Sequence, residues 1–334
     1  LEIPSRCPRP FDTLLIDKKG SCYACECTSW LPQSVGNLQI QTLHEIINRN
    51  SMREHLQSSI TDGSYRYCNE HQCSYIKSNS VLDWRPKRIE HLRLAIDDSC
   101  NLRCPSCRKQ LLFLSNSEDP LDKNRVAEYE RRKRFADKIN EWLETYYYPL
   151  QVHIGSDGDP FASHIYRHFM EHTPRRDNIK YSILTNALMF ESFHERVPHI
   201  INNLQELGVS IDGASKQTYE KLRLGGNWEK INQNLQCISE LKQKHNFRFI
   251  LHFVVQKDNY HEMEDIIQLG KQYNADRVWL NKMEDWNVIE NFSDINIFRP
   301  EHPLHEDYRQ TLQKIKPYLG VEKNPHVEIT TLNI

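Results

Sequence analysis

The chain has 334 residues, 38% of them hydrophobic and 26% charged, which is enough for one large globular domain and a small one. The formal net charge of −2 makes a phosphate backbone a poor partner. No apolar run approaches the ~18–20 residues of a membrane span, so neither nucleic-acid binding nor membrane embedding is expected. No secretory signal is read, and the chain begins at Leu1 rather than Met, which leaves room for an upstream segment; a cytoplasmic location is expected.

Residues 1–80 read as a small module. Phe11–Asp17 suits a strand, Lys18-Lys19-Gly20 a hairpin turn and Ser21–Cys25 the returning strand. Gly36-Asn37 marks another turn, and Leu43, Ile46, Ile47 and Leu56 carry helical spacing. Six of the ten cysteines lie in the first 75 residues: Cys7, Cys22, Cys25, Cys27, Cys68 and Cys73. So short a segment has little core of its own, and a metal would staple it. Tight cysteine clusters without a secretory signal point to metal ligands rather than disulfides.

From Arg88 onward strands and helices alternate. Strands are expected at Arg88–Asp97, Leu150–Gly155, Lys180–Thr185, Gly208–Asp212, Phe247–Gln256 and Asp276–Lys282. Helical patterns fall between them at Leu121–Tyr147, Phe161–Glu171, Leu188–Val197, Trp228–Lys244 and Asn259–Tyr273. Such alternation calls for a parallel sheet with helices outside it. Six units fall short of a closed eight-stranded barrel, so the fold class is α/β, a partial (βα)6 TIM-like barrel over 85–285 with the small domain in front. A C-terminal extension, 286–334, carries one more helix near His305–Ile315. The basic run Arg131-Arg132-Lys133-Arg134 lies in a helical pattern and reads as a solvated face rather than a site for an anionic partner.

The loop after the first barrel strand holds Cys100, Cys104 and Cys107 in a C-x3-C-x2-C array. Three thiolates so close can reach one metal centre, and no fourth ligand is local. A closed structural site wants four ligands; three suit a cubane iron–sulfur cluster with one iron open for chemistry. Cys22 falls where the returning strand wants an apolar residue and reads as core, while Cys27 stays open between ligand and packing. Cys237 shares a helix with Ile231, Leu235, Ile238 and Leu241, which favours packing over a hydrogen-donating thiol. His153 and His252 lie within strands and read as satisfied core or rim histidines. Lys282, Glu284, Asp285 and Trp286 follow the sixth strand, where substrate contacts gather on barrel folds, against the alternative of a solvated loop.

With its place after the first strand of a partial barrel, the cysteine array resembles that of the radical S-adenosylmethionine (radical SAM) enzymes. The resemblance implies a [4Fe-4S] cluster on Cys100, Cys104 and Cys107, with SAM chelating the open iron through its amino and carboxylate groups. Gly155-Ser156-Asp157-Gly158-Asp159-Pro160 resembles the family's G-G-E-P segment, with Asp159 in place of Glu, and implies that Gly158 and Asp159 hold the SAM ammonium. Leu184-Thr185-Asn186 is similar to T-N-G, with Ala187 in place of the glycine. Val209-Ser210-Ile211-Asp212-Gly213-Ala214, followed by Tyr219, Arg223 and Gly225-Gly226, resembles V-S-(I/L)-D-G with its downstream Arg. This implies SAM contacts at Asn186, Ser210 (ribose), Asp212 and Arg223 (carboxylate). A guanidinium matches a carboxylate bidentately, and the alternative for Arg223 is a surface pair with Glu220. The residue before the last cysteine is commonly aromatic; here it is Ser106, so adenine contacts are expected near Val254 and Val255 instead.

The N-terminal module resembles a SPASM-type auxiliary iron–sulfur domain placed before the barrel rather than after it. Cys7, Gly20 and Cys25, then Trp30-Leu31-Pro32, Gly36-Asn37-Leu38, Tyr67-Cys68 and Cys73 carry that likeness. It implies a second [4Fe-4S] cluster, fully ligated by Cys7, Cys25, Cys68 and Cys73. The two resemblances together imply an enzyme that cleaves SAM reductively to a 5′-deoxyadenosyl radical and takes hydrogen from a peptide or protein side chain, giving oxidation, a crosslink or epimerisation. An electron donor such as a flavodoxin or ferredoxin is implied. The alternatives are the same chemistry on a small sugar or aminocyclitol, methyl or methylthio transfer from SAM, and a zinc-binding module on a degenerate barrel.

Overall fold

The computed structural model describes residues 7–26, 28, 31, 33–48, 51–69, 73, 76, 88–115, 123–285, 288–320 and 325–330. It divides into two compact units, Leu1–Asp98 with Leu114–Gly158 and Ser163–Tyr181, and Ser99–Phe113 with Asp159–Ala162 and Ser182–Ile334.

The first unit opens with a short helix, α1 (Arg9–Asp12), and strand β1 (Thr13–Asp17). A turn closed by the Gly20 N–H on Asp17 O, 2.9 Å, leads into β2 (Ser21–Tyr23), which pairs antiparallel with β1 and then with β3 (Gly36–Asn37). The expected hairpin is present. Helices α2 (Leu43–Asn48) and α3 (Ser51–Thr61) follow. Strand β4 (His91–Ala95) pairs in parallel with β1, Thr13 opposite His91, and with β5 (Leu150–Ile154) on its other side. Side-chain alternation explains both strands: Leu92 and Leu94, like Val152 and Ile154, are buried, while His91, Arg93, Gln151 and His153 take the other face. The long helix α4 (Lys123–Thr145) and α5 (His164–His172) complete the unit, and the Ser163 side chain caps α5 by accepting from Tyr166 N–H.

Strand β6 (Ile179–Thr185) spans the point where the chain passes between the units. In the second unit come α6 (Phe190–Phe193), α7 (Pro198–Asn202), β7 (Leu204–Ser210), α8 (Lys216–Leu222), α9 (Trp228–Lys244), β8 (Arg248–Val255), α10 (Met263–Gln272), β9 (Arg277–Lys282), α11 (His305–Ile315) and β10 (His326–Thr330). Strands β7 to β10 pair in parallel in chain order. The sheet does not close: β3 is an edge in the first unit and β10 in the second. This is the mainly parallel, open α/β arrangement that six repeated units imply. All six expected strands are present, and β1 and β10 add parallel neighbours that the repeat count missed. Among the described residues no helix is long and apolar enough to cross a membrane.

The basic run on α4 differs from the expectation of a solvated face. Arg132 is buried, and its guanidinium meets Asp97 and Asp98 at 2.6 Å each and Glu128 at 2.6 Å. Asp97 is also fully buried and accepts from Ser163 Oγ at 2.6 Å, so one carboxylate ties α4 to the cap of α5 directly before the cysteine loop in sequence. Lys18 reaches Asp98 at 2.5 Å. Burial alone would raise the Asp98 pKa, but the hydrogen bonds from Lys18 and Arg132 outweigh it and hold the carboxyl at about 2.

Replacing Arg132 with Met leaves a buried carboxylate without its cation, and chemical denaturation is expected to register a loss of about 3–5 kcal/mol. The depressed Asp98 pKa stabilises the fold fully above the unfolded carboxyl value near 3.9, and that contribution is lost as pH falls through about 2. The stability difference between the wild type and Asp98→Asn should therefore be constant near neutrality and shrink toward pH ~2; a difference that does not change with pH would contradict the ion pair.

Candidate active site and iron–sulfur ligands

In the second unit the cysteine loop is held by its own backbone. Cys100 N–H donates to Leu112 O at 2.8 Å, Cys107 N–H to Cys104 O at 2.9 Å, and Arg103 N–H to Leu224 O at 2.9 Å. Cys100 and Cys104 are buried and Cys107 is exposed. Burial, together with the Asp159 charge, pushes the Cys100 thiol up to about 11, and burial raises Cys104 too. Iron binding needs the thiolates, so the favourable charges matter. Arg223 Nη1 lies 3.7 Å from Cys104 Sγ, and Arg108 Nη2 lies 3.6 Å from Cys107 Sγ. Both guanidiniums stand where that negative charge develops.

Asp159 sits behind the loop. Its carboxylate is 1% exposed and accepts from Phe161 N–H and Ala162 N–H at 3.1 Å each, Thr185 Oγ1 at 2.7 Å and Asn186 N–H at 2.7 Å. Its own N–H donates to Ser99 O at 2.8 Å. Burial raises its pKa against the pull of those four bonds. The carboxylate expected to meet the SAM ammonium is thus engaged on both oxygens by protein donors. Asn186 carries the link onward: its Nδ2 donates to Asn101 Oδ1 at 2.9 Å and approaches Cys100 Sγ at 3.6 Å. Ala187, where the resembled motif has glycine, takes φ +59°, the left-handed region that glycine occupies without strain. Gly158, in the first unit, takes φ +70°.

Ser210 ends β7 half-buried, opposite His252 of β8, which is itself opposite Trp279 of β9; the His252 and Trp279 rings are 5.1 Å apart. Val254 shares this half-buried face, whereas Val255 is fully buried on the other. Burial, then Arg223 and Arg277, pull the His252 pKa down to about 4, so this imidazole is neutral near neutral pH. Asp212 takes φ +54°. Its Oδ1 accepts from Val254 N–H at 2.8 Å, its carbonyl from Asn259 Nδ2 at 3.0 Å, and its Oδ2 pairs with Arg223 Nη2 at 2.8 Å. Arg223 therefore neither pairs with Glu220, which accepts from Trp228 N–H, nor presents a free fork; its Nε is buried without a hydrogen-bond partner among the described residues.

Asn259 and Glu262 escaped the sequence reading. Glu262 accepts from Ala214 N–H at 2.7 Å and from Ser215 Oγ and Thr218 Oγ1 at 2.6 Å each, which fixes the start of α8. A Glu ahead of a helix gives no sequence signal for a partner 44 to 48 residues away. Cys237 is half-buried, and its charged neighbours are Glu191, Glu240, Glu195 and Lys230, none of them at this site. Lys282 Nζ lies 5.3 Å from the Phe298 ring centre. Glu284 and Asp285 are exposed or nearly so, and Trp286 lies outside the described residues.

In the first unit Cys7, Cys25, Cys68 and Cys73 act on one another electrostatically: burial, with a smaller push from the other cysteines, raises Cys7 to about 12 and Cys68 to about 11. Cys22 is not in that set; it is fully buried on β2 with its thiol toward Gly20 O. Cys27 lies outside the described residues. Among the described residues no three His, Cys, Asp or Glu side chains are spaced to hold a single metal ion. His91 and His153 face each other at 3.3 Å, and burial, then Arg93, pull His153 down to about 3.

Comparison with known proteins agrees with this arrangement. The model of the radical SAM superfamily matches residues 96–270, and that of the SPASM iron–sulfur cluster-binding domain matches residues 7–75. The chain belongs to the radical SAM superfamily. A GTP 3',8-cyclase of Synechocystis sp. is 23% identical over 208 residues, covering 62% of this chain and 58% of that protein. A GTP 3',8-cyclase of Clostridium botulinum is 21% identical over 195 residues, covering 58% and 56%. The chain thus matches a little over half the length of these curated relatives. Among solved structures, Streptococcus suis SuiB aligns with a TM-score of 0.46 at 11% identity, over 84% of this chain and 54% of that one. Native anSMEcpe with bound AdoMet aligns with a TM-score of 0.41 at 17% identity, over 72% and 64%.

Asp159→Asn keeps the shape but turns an NH2 group toward two of the four donors. Each donor left unsatisfied costs about 1–3 kcal/mol, so the variant should unfold at clearly lower denaturant than the wild type. An unchanged midpoint would show that the carboxylate does not hold these segments.

Proposed function

We propose that this radical SAM enzyme cleaves SAM at a [4Fe-4S] cluster on Cys100, Cys104 and Cys107 and abstracts hydrogen from a peptide or protein side chain. The observation that carries the reading is Arg223, a half-buried cation lodged between Asp212 and Cys104 with one nitrogen unpartnered. When bound and reduced, the cluster would supply one electron to SAM, whose sulfur–C5′ bond would break to methionine and a 5′-deoxyadenosyl radical able to take a hydrogen atom. Arg223 would hold the SAM carboxylate, through the Nε that has no partner among the described residues. Asn186 orients Cys100, and Ser210 would meet the ribose. Asp212 holds Arg223, while Asp159 positions the loop from behind instead of touching the ammonium. Neutral His252 and Trp279 offer a polar–aromatic wall without a competing acid.

Cys7, Cys25, Cys68 and Cys73 would hold the auxiliary cluster of a module over 1–80, relaying electrons or binding substrate beside a barrel over 85–285. Their electrostatic influence on one another supports a shared centre. A reduced flavodoxin or ferredoxin would supply the electron. The peptide reading rests on the SPASM-type module. A small-molecule substrate is the second reading, favoured by the cyclase relatives, which are named for acting on GTP.

Under anaerobic reduction with SAM, the loaded wild type should form 5′-deoxyadenosine, and replacing Cys100, Cys104 and Cys107 with Ala should reduce it to background. Deoxyadenosine made by the triple variant, or S-adenosylhomocysteine as the main product, would overturn the proposal. A deuterated substrate that labels the deoxyadenosine identifies the substrate class.

A further inference from the structure

Tyr219 is fully buried on α8, and the chain makes room for it. A Cβ on Gly213 would fall 2.4 Å from the Tyr219 backbone nitrogen, and one on Gly226 would fall 2.8 Å from ring atom Cε1. Trp228 covers the ring at 5.6 Å. The helix is fixed from below, since Glu262 holds Ser215 and Thr218. Yet the Tyr219 hydroxyl has no hydrogen-bond partner among the described residues. Leaving a buried hydroxyl unpaired costs about 1–3 kcal/mol, which phenylalanine would avoid at the same volume.

The surroundings point to what the hydroxyl is for. The hydroxyl end of the ring lies at Gly226, whose Cβ would fall 3.1 Å from Cζ, in the turn that Arg103 of the cysteine loop grips by donating to Leu224 O at 2.9 Å; after burial, Arg223 and then Cys104 act on it electrostatically. Two unpartnered polar atoms, Tyr219 Oη and Arg223 Nε, thus belong to the same corner of the site, where Arg223 Nη1 already reaches Cys104 Sγ at 3.7 Å. A neutral thiol is a weak acceptor. A thiolate bound to iron carries charge and accepts more strongly. The Tyr219 hydroxyl makes no hydrogen bond to Cys104 here, and an iron-bound Cys104 would be the stronger acceptor for it.

We propose that Tyr219 is a positioning residue for the iron–sulfur cluster, donating its hydroxyl hydrogen to the Cys104 sulfur once that sulfur is an iron ligand. This rests on Cys104 ligating the SAM-binding cluster. Hydrogen bonds to cluster sulfurs raise the reduction potential, because the added electron makes the sulfurs better acceptors. Tyr219 therefore eases the reduction that precedes SAM cleavage.

The test is a potentiometric titration of the iron-loaded full-length chain, followed by electron paramagnetic resonance, with the SAM-binding cluster identified as the signal that changes on adding SAM. Tyr219→Phe should keep its iron content, and its metal-free form should melt no lower than the wild type. Its ratio of reduced to oxidised cluster at a fixed potential should fall about tenfold, which is about 59 mV for one electron. A fluorinated tyrosine at 219, a stronger donor of nearly the same shape, should shift the ratio the other way and serves if the phenylalanine variant loads poorly. Unchanged potentials in both variants overturn the proposal. So does a loss of SAM affinity alone, which would assign the hydroxyl to the methionine carboxylate. If Cys104→Ala keeps the SAM-responsive signal, the ligand assignment fails instead, and the two failures are distinguishable.

Discussion

The second unit depends on one buried carboxylate. Asp159 places two oxygens among four donors, from Phe161, Ala162, Thr185 and Asn186, while its own N–H holds Ser99 of the cysteine loop. A charged group out of water is costly unless each oxygen is satisfied; here the donors come from two separate stretches, 161–162 and 185–186, so satisfying the charge brings those stretches together. The short side chain matters. Reaching backbone N–H groups two and three residues ahead is an Asx-type turn, available to Asp but not to the longer Glu of the motif it resembles. The departure from that motif therefore has a local structural reason: the acid has turned inward to organise the loop.

A second charge acts in front of the loop. Arg223 is held by Asp212, and Asp212 is itself fixed by Val254 N–H and Asn259. The cation is consequently in place before iron or SAM arrives. Preorganised charge of this kind needs no rearrangement when thiolates form or a carboxylate binds, which is how a folded site stabilises states that water would have to reorganise around. Both arrangements require left-handed backbone at non-glycine residues, Asp212 and Ala187, strain of the sort that accumulates at functional sites.

The strands were legible because they alternate buried and half-buried side chains or run apolar between turn residues, as in β4, β5 and β8. The cysteine spacing was legible because a metal loop is local in sequence. What could not be read was the direction of individual side chains. Asp159 has the right residue type for an ammonium contact, but nothing in the sequence announced the four protein donors gathered around its carboxylate. Arg132 sits in a run that looks solvated, yet it is buried between Asp97 and Asp98. Each of these depends on a partner about 25 or more residues away, and charge patterning within one helix carries no such information. Tyr219 shows the converse: only packing reveals that its hydroxyl has no acceptor among the described residues.

The central claim is that Cys100, Cys104 and Cys107 hold a cluster whose open iron takes SAM beside Arg223. Electron–nuclear double resonance on the reduced, iron-loaded chain, with a magnetic oxygen isotope in the SAM carboxylate, tests it directly. A hyperfine coupling between the cluster and that oxygen, lost in the Cys104→Ala variant, is the predicted result. SAM that binds without any coupling to the cluster would contradict the account.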